Sequence, residues 1–350
     1  MNSFAPTLQP MRASHTSLIF RSLRLITTLI CLLVSPAFGS DSEASGEDKF
    51  NPDIILHHVI DDHVWHFTDG MVLPLPVIVH SASRGLEVFS SGNFFDEHHQ
   101  PKAYNGYVLE HGHIRFENSE EHILDLSVTK NVAMLFLNVL LIVGVLLAVA
   151  SGYKKNVGKA PSGIQSFIEP IIIFVRDEVV KPNIGPKYEK YLPYLLTLFF
   201  FILFGNLLGL LPGAANLTGN IAVTATLAFF TFLITNISGN KSYWAHILWT
   251  PGIPLPLRAI ILPVEIIGIF TKPFSLMIRL FAAITAGHIV LLSLLCLTFI
   301  FKSWGVGFGT SVFVIFINLI ELLVAGIQAY VFTLFTSLYI GMAVEEHDHH

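Results

Sequence analysis

Charge is what this chain has least of. Asp, Glu, Lys and Arg together make up 13% of its 350 residues, about half the share usual in a soluble domain. No basic stripe with interleaved aromatics is present, which excludes the usual nucleic-acid footprint. Cysteine is nearly absent: Cys31 and Cys296 are the only two. Two are too few for a disulfide framework. Each lies in an apolar run, so no bridge is expected. The net charge of −5 says little, because the acids cluster in the polar part of the chain.

What replaces charge is apolar surface. The chain is 53% hydrophobic, with a mean hydropathy of +0.63. The expected fold class is an all-α polytopic membrane protein, a bundle of five transmembrane helical units with a small exported N-terminal domain. Residues 1–39 read as an export signal. Arg12, Arg21 and Arg24 precede a short apolar run from Leu25 to Val34, and Ala37-Phe38-Gly39 fits a small-x-small cleavage site. An uncleaved anchor helix would need a longer run.

Residues 40–128 are polar. An acidic stretch, SDSEASGED, precedes short β-like runs at Met71–Leu73, Pro76–Val79, Tyr107–Leu109 and Ile114–Phe116, punctuated by Asn, Gly and Pro. Ten of the 16 histidines fall here: His57, His58, His63, His66, His80, His98, His99, His111, His113 and His122. Clusters such as His57-His58 with His63 and His66, and Asp61 and Asp62 between, carry metal-ligand chemistry. No spacing fits a zinc module, so a solvated polar surface or local proton buffer is the simpler reading, and no metal is expected.

Residues 129–344 form the expected membrane domain, followed by an acidic tail over 345–350. The spans are Asn131–Ser151, Tyr191–Leu211, Asn220–Ile237, Ala259–Phe301 and Thr310–Val344. Ile164–Val180 has an apolar stripe broken by charges and reads as a helix at the membrane surface. Lys154, Lys155 and Lys159 put the end of the first span inside. Five crossings then leave the exported domain outside and the tail inside. The last unit has 35 residues, about 52 Å of helix against about 30 Å of hydrocarbon. Such helices must tilt strongly or leave the membrane.

Candidate functional residues stand out against this apolar background. Arg279 sits mid-run in Thr271–Leu295, where an arginine costs roughly 2.5–3.5 kcal/mol. It stays charged at any physiological pH, so it needs an anionic partner. Ser275, Ala282, Ala283 and Ala286 share or adjoin its helical face, a small-sided one that another helix can approach. His288, about 13 Å further along the axis, lies on the opposite face. The last unit carries Asn318, Glu321 and Gln328. Glu321 and Gln328 share a face, with Ala325 between them. Asn206 lies in the second span and Glu265 begins the fourth. These groups read as an ion pathway; interhelical polar glue is the bland alternative.

The segments SLMIRLFAAITAGHI, LPYLLTLFFFILFGNLLGLLP, Lys272-Pro273 with Ser275, and IQAYVFTLFTSLYIGMAVEEH resemble subunit a of the F-type ATP synthase, over about residues 125–347. The resemblance implies a proton-translocating stator subunit in a bacterial inner membrane, N-terminal domain periplasmic and C-terminus cytoplasmic. Its partners would be a ring of c subunits, the subunit b stator, the rest of the synthase, the lipid bilayer and protons. No cofactor or covalent chemistry is implied. Arg279 would face the c-ring carboxylate. His288 and Glu321 would occupy two coupled channel positions, with acid and base exchanged relative to many bacterial members. Gln328 would face Arg279, Asn206 would line the outer half-channel, and Glu265 would be an access residue. The chain departs from the family pattern at Ala282-Ala283 and Gly209. A secondary transporter and a structural membrane protein are rival readings; the first calls for an inverted repeat, and none is visible.

Overall fold

The computed structural model describes residues 63–68, 71–95, 102–110, 112–116, 121, 123–155, 160–211, 214–249, 254–301 and 304–345. The expected signal at 1–39, the acidic stretch after it, His57, His58, His98, His99, His111, His122 and the tail beyond Glu345 lie outside them.

The polar region forms small antiparallel sheets. Strand β1 (Val64–Thr68) pairs with β2 (Met71–Pro74). Strand β3 (Pro76–Ser81) lies between β4 (Gly85–Ser90) and β7 (Leu124–Asp125). Strands β5 (Tyr107–Glu110) and β6 (His113–Phe116) make a hairpin. Alternation drives the central sheet: Val77 and Val79 are fully buried, while the residues between and beside them face outward. Gly85 closes the β3–β4 turn at φ 77°, a conformation that suits glycine. Under the sheet an aromatic cluster forms, with Tyr107 and Phe116 stacked at 4.7 Å and Phe89 against Phe94 at 5.5 Å. The expected runs appear among these strands. Strands β1, β4 and β7 are additional; β7 has only two residues, too few to show a pattern.

Beyond Thr129 the chain is helical. Helix α1 spans Lys130–Lys155, with Lys154 and Lys155 in its last turn, where cations complement the helix dipole. Helix α2 (Ile164–Phe174) passes without a gap through a wide π turn (Val175–Val180), α3 (Lys181–Ile184) and a 3₁₀ turn into α4 (Tyr188–Gly209). The expected surface helix and second span are thus one continuous helical stretch. Helix α5 (Ile221–Ile237) begins where Asn220 Oδ1 accepts a hydrogen bond from the Ala222 amide at 2.9 Å, an N-cap. It is followed by α6 (Lys241–Leu248), bent 102° from it. An eight-residue helix thus lies in the stretch between the third and fourth expected spans.

Helices α7 (Leu255–Phe301) and α8 (Trp304–Val344) have 47 and 41 residues. Both start earlier than expected, since Pro256 sits in a first turn, where no amide partner is needed, and Gly305, Gly307 and Gly309 are tolerated in α8. Four helical stretches are long and apolar enough to cross a membrane, or five if the bent α5–α6 pair counts as one span. The shared core unites α4, α7 and α8 through Leu195, Phe200, Ile202, Leu276, Leu280, Ala329 and Ile340. Helix α8 packs tightest near its end. Any side chain at Gly341 would collide with the backbone carbonyl of Asn183 in α3.

Two seams join the layers. Trp65 and Leu75 of the sheets pack with Met134 of α1 and Ala215 of the α4–α5 connection. At the other end, Asn240 donates its backbone amide to Ala343 O and its side-chain amide to Val344 O, at 2.9 and 2.8 Å. The last carbonyls of α8 are thereby satisfied.

Candidate functional site

Helices α7 and α8 touch at a glycine. A Cβ built on Gly287 would stand 2.5 Å from Glu321 Oε1 and 3.1 Å from its Cγ. Only a residue without a side chain lets the carboxyl lie flat against α7. Glu321 is 8% exposed, and His288 follows Gly287 directly. The acid of α8 and the imidazole of α7 are therefore carried on neighbouring turns, although each sits on its own long helix.

Helix α4 closes a second side. Asn206, 2% exposed, donates through Nδ2 to the Ala325 carbonyl at 3.3 Å. Ala325 is one turn beyond Glu321 on α8. The Thr218 hydroxyl donates to Asn206 Oδ1 at 2.7 Å, and Thr218 and Thr224 are fully buried. Asn206 and Thr218 thus form a buried polar pair one turn along α8 from Glu321, inside an apolar bundle. Neutral hydrogen bonds of this kind are worth about 1 kcal/mol each, and leaving one partner unpaired costs more.

Arg279 lies further down the hairpin. Its guanidinium carbon stands 4.6 Å from the centre of the Phe335 ring, a cation–π contact of about 0.5–2 kcal/mol. Among the described residues no acid lies within ion-pair distance of it. Lys272 repeats the arrangement over Tyr339 at 5.5 Å. Gln328 sits between Glu321 and Phe335 along α8, and so at levels between Gly287 and Arg279; the ring packed on the guanidinium is Phe335. Glu265 stands apart, near the α5–α6 bend, where it lies within electrostatic reach of Tyr243.

A second polar chain runs at the Arg279 level on another side of α8. The Tyr194 hydroxyl and Thr231 Oγ1 are 3.2 Å apart, and Thr231 Oγ1 and Thr336 Oγ1 are 3.4 Å apart. Thr231 and Thr336 are almost wholly buried. Sequence reasoning missed Thr218, Thr231, Thr336 and Gly287. Threonine and glycine are ordinary in membrane helices, and only the cross-helix partner marks these four.

Outside the membrane part, His63 Nε2 and Asp125 Oδ2 are 3.0 Å apart. Burial would raise the Asp125 pKa, but hydrogen bonds from His63 and Ser127 outweigh it and hold it at about 2, below the usual 3.8. No group of three or more His, Cys, Asp or Glu side chains converges as a metal site among the described residues.

Residues 132–341 match the family model described as ATP synthase A chain. The chain belongs to the ATP synthase A chain family. It is 48% identical over 246 residues to ATP synthase subunit a 2 of Chlorobaculum tepidum, covering 68% of this chain and 69% of the relative. It is 41% identical over 316 residues to ATP synthase subunit a of Chlorobium phaeobacteroides, covering 88% and 80%. With that of an Anaeromyxobacter species it shares 38% over 323 residues, covering 89% and 75%. A second model, a domain of unknown function (DUF8433), matches residues 54–135. As a member of the ATP synthase A chain family, the chain is a multi-pass membrane protein, part of the ATP synthase complex and the proton-translocating stator subunit of its membrane sector.

Proposed function

We propose that Asn206, Thr218, His288 and Glu321 line one half-channel, that the Tyr194–Thr231–Thr336 chain begins the other, and that Arg279 separates them. The observation that carries this reading is the setting of Arg279. A permanent cation, half-buried in an apolar helix, rests on a phenyl ring, and the described residues offer it no carboxylate. Its anion is then supplied by a neighbouring ring of c subunits. Beside Arg279 that carboxylate is held ionised, because an opposite charge favours the charged form. It releases its proton to one half-channel, leaves the guanidinium, and takes a proton from the other. Once neutral, it can travel through lipid. The fixed positive charge also blocks direct passage of protons between the two routes.

Gln328, on α8 between the two levels, faces Arg279. Glu265, close to the α5–α6 bend, serves the access route on that side. The sheet region faces the periplasm of a bacterial inner membrane, and the C-terminus faces the cytoplasm. The placement of Lys154, Lys155, Lys181, Lys187 and Lys190 at one end of the helices supports that orientation. In the same reading residues 1–39 are a removed signal, 40–128 the periplasmic domain, 129–344 the channel domain and 345–350 a cytoplasmic tail. Subunit b is the second membrane partner.

The test is Arg279→Ala in the assembled synthase reconstituted in vesicles. ATP-driven proton pumping is expected to vanish while the complex still assembles; coupled pumping at the parent rate would overturn the reading.

A further inference from the structure

Helix α1 has no part in the path described above, yet it carries a fully buried polar side chain. Asn138 is 0% exposed. Its Nδ2 donates to the Phe201 carbonyl at 3.1 Å, while its Oδ1 is buried and has no hydrogen-bond partner among the described residues. A buried carboxamide oxygen left in that condition costs about 1–3 kcal/mol. A leucine of similar size would fill the same space without that cost, so packing alone does not explain the asparagine.

The place of this carboxamide suggests its use. Helix α4 offers Gly205 to the carboxamide: a Cβ there would stand 3.3 Å from Asn138 Nδ2 and 3.3 Å from a methyl of Leu217. Gly205 adjoins Asn206, and Leu217 adjoins Thr218, the pair joined by the 2.7 Å hydrogen bond. The carboxamide therefore lies at the junction of the elements that carry this pair. One turn before it on the same face, Met134 is 1% exposed and packed with Trp65 and Ala215. That apolar contact shuts out bulk solvent from above, so a water bound at Asn138 is a held one.

We propose that Asn138 is a positioning residue of the outer proton route, its Oδ1 accepting a hydrogen bond from a water beside the Asn206–Thr218 pair. The inference rests on the half-channel reading. A polar group of this kind keeps a water in a bundle that would otherwise be dry there, and such waters are bonded to about three polar partners.

The experiment uses the whole synthase in potassium-loaded vesicles, with passive proton flux through the membrane sector as readout. Asn138→Leu is expected to assemble at parent yield and to lower flux about tenfold. Asn138→Asp is expected to restore flux with an altered pH profile, because it replaces the amide by a titrating oxygen. A merely structural asparagine would behave the opposite way: the leucine would conduct normally and the buried charge would harm assembly, and that pattern overturns the proposal. Should Asn138→Leu fail to assemble, Asn138→Cys in a Cys296→Ala background decides. Silver ion inhibits flux if the position is wet, and leaves it unchanged if the proposal is wrong. Glu321→Gln in the same vesicles separates the two levels of argument. Flux intact in Glu321→Gln defeats the half-channel reading itself; flux lost there but normal in Asn138→Leu defeats only the role of Asn138.

Discussion

Gly287 shows how a residue without chemistry can govern one that has it. Its missing Cβ leaves the space that Glu321 occupies. Gly287→Ala puts a methyl into that contact, where overpacking costs typically 1–3 kcal/mol and displaces the carboxyl. The expected result is an assembled complex with proton flux reduced several-fold, measured in vesicles; unchanged flux would mean that Glu321 does not need its present seat. The neighbouring polar residues were visible from the sequence for a simple reason. Arg279, Glu321, Gln328 and Asn206 are costly in an apolar run, and cost marks them. Gly287, Thr218 and Thr231 are not costly, so nothing in the one-dimensional pattern separates them from ordinary helix residues. His288 and Glu321 illustrate a further limit. The helical wheel relates groups on one helix, and the turn-to-turn approach of α7 and α8 belongs to neither helix alone.

At the scale of elements, the long antiparallel pair α7–α8 sets the register that places every other group. Gly287 meets Glu321, Arg279 meets Phe335 and Lys272 meets Tyr339 in succession. If His288 and Glu321 act through one route, exchanging them should be less harmful than losing either. The double variant His288→Glu with Glu321→His is expected to conduct more protons than His288→Glu or Glu321→His alone, giving a coupling of roughly 0.5–3 kcal/mol in a double-mutant cycle. Simple additivity of the two losses would count against a shared route. The helices themselves were legible as apolar runs of the right length. Their ends were not. Prolines and glycines at 256, 305, 307 and 309 look like breakers, yet each falls where a helix start or the surrounding packing tolerates it. Helix α6 was hidden because eight residues rich in Trp, His and Tyr have no clear period.

At the scale of the whole molecule, the small sheets are seated on the helices through Trp65, Leu75, Met134 and Ala215, and the His63–Asp125 contact ties the start of β1 to the end of β7. The folded Asp125 pKa, about 2, lies below the usual 3.8. A depressed carboxyl stabilises the fold fully above its unfolded value, and that contribution fades as pH falls from about 4 through about 2. Amide exchange in β1 and β7 is therefore expected to accelerate over that window, and Asp125→Asn is expected to remove the pH dependence; equal acceleration in the variant would assign the effect elsewhere. The sequence did foretell a β-rich polar segment before the helices, from the short β-like runs at Pro76–Val79 and Tyr107–Leu109. It did not foretell where that segment rests, since a tryptophan and a methionine more than sixty residues apart carry no mutual signal.

The wide turn at Val175–Val180 holds one more residue per turn than the helix on either side, and it sets the azimuth of everything after it. Asn183 reaches back to the Val179 carbonyl and across to the Ser337 hydroxyl, 2.6 and 3.2 Å away, beside the collision-tight Gly341. Winding the same six residues as an even α-helix would swing Asn183 by about 100°, turning its amide away from both anchors. The winding of one turn on a neighbouring segment thus decides whether the foot of α8 is seated.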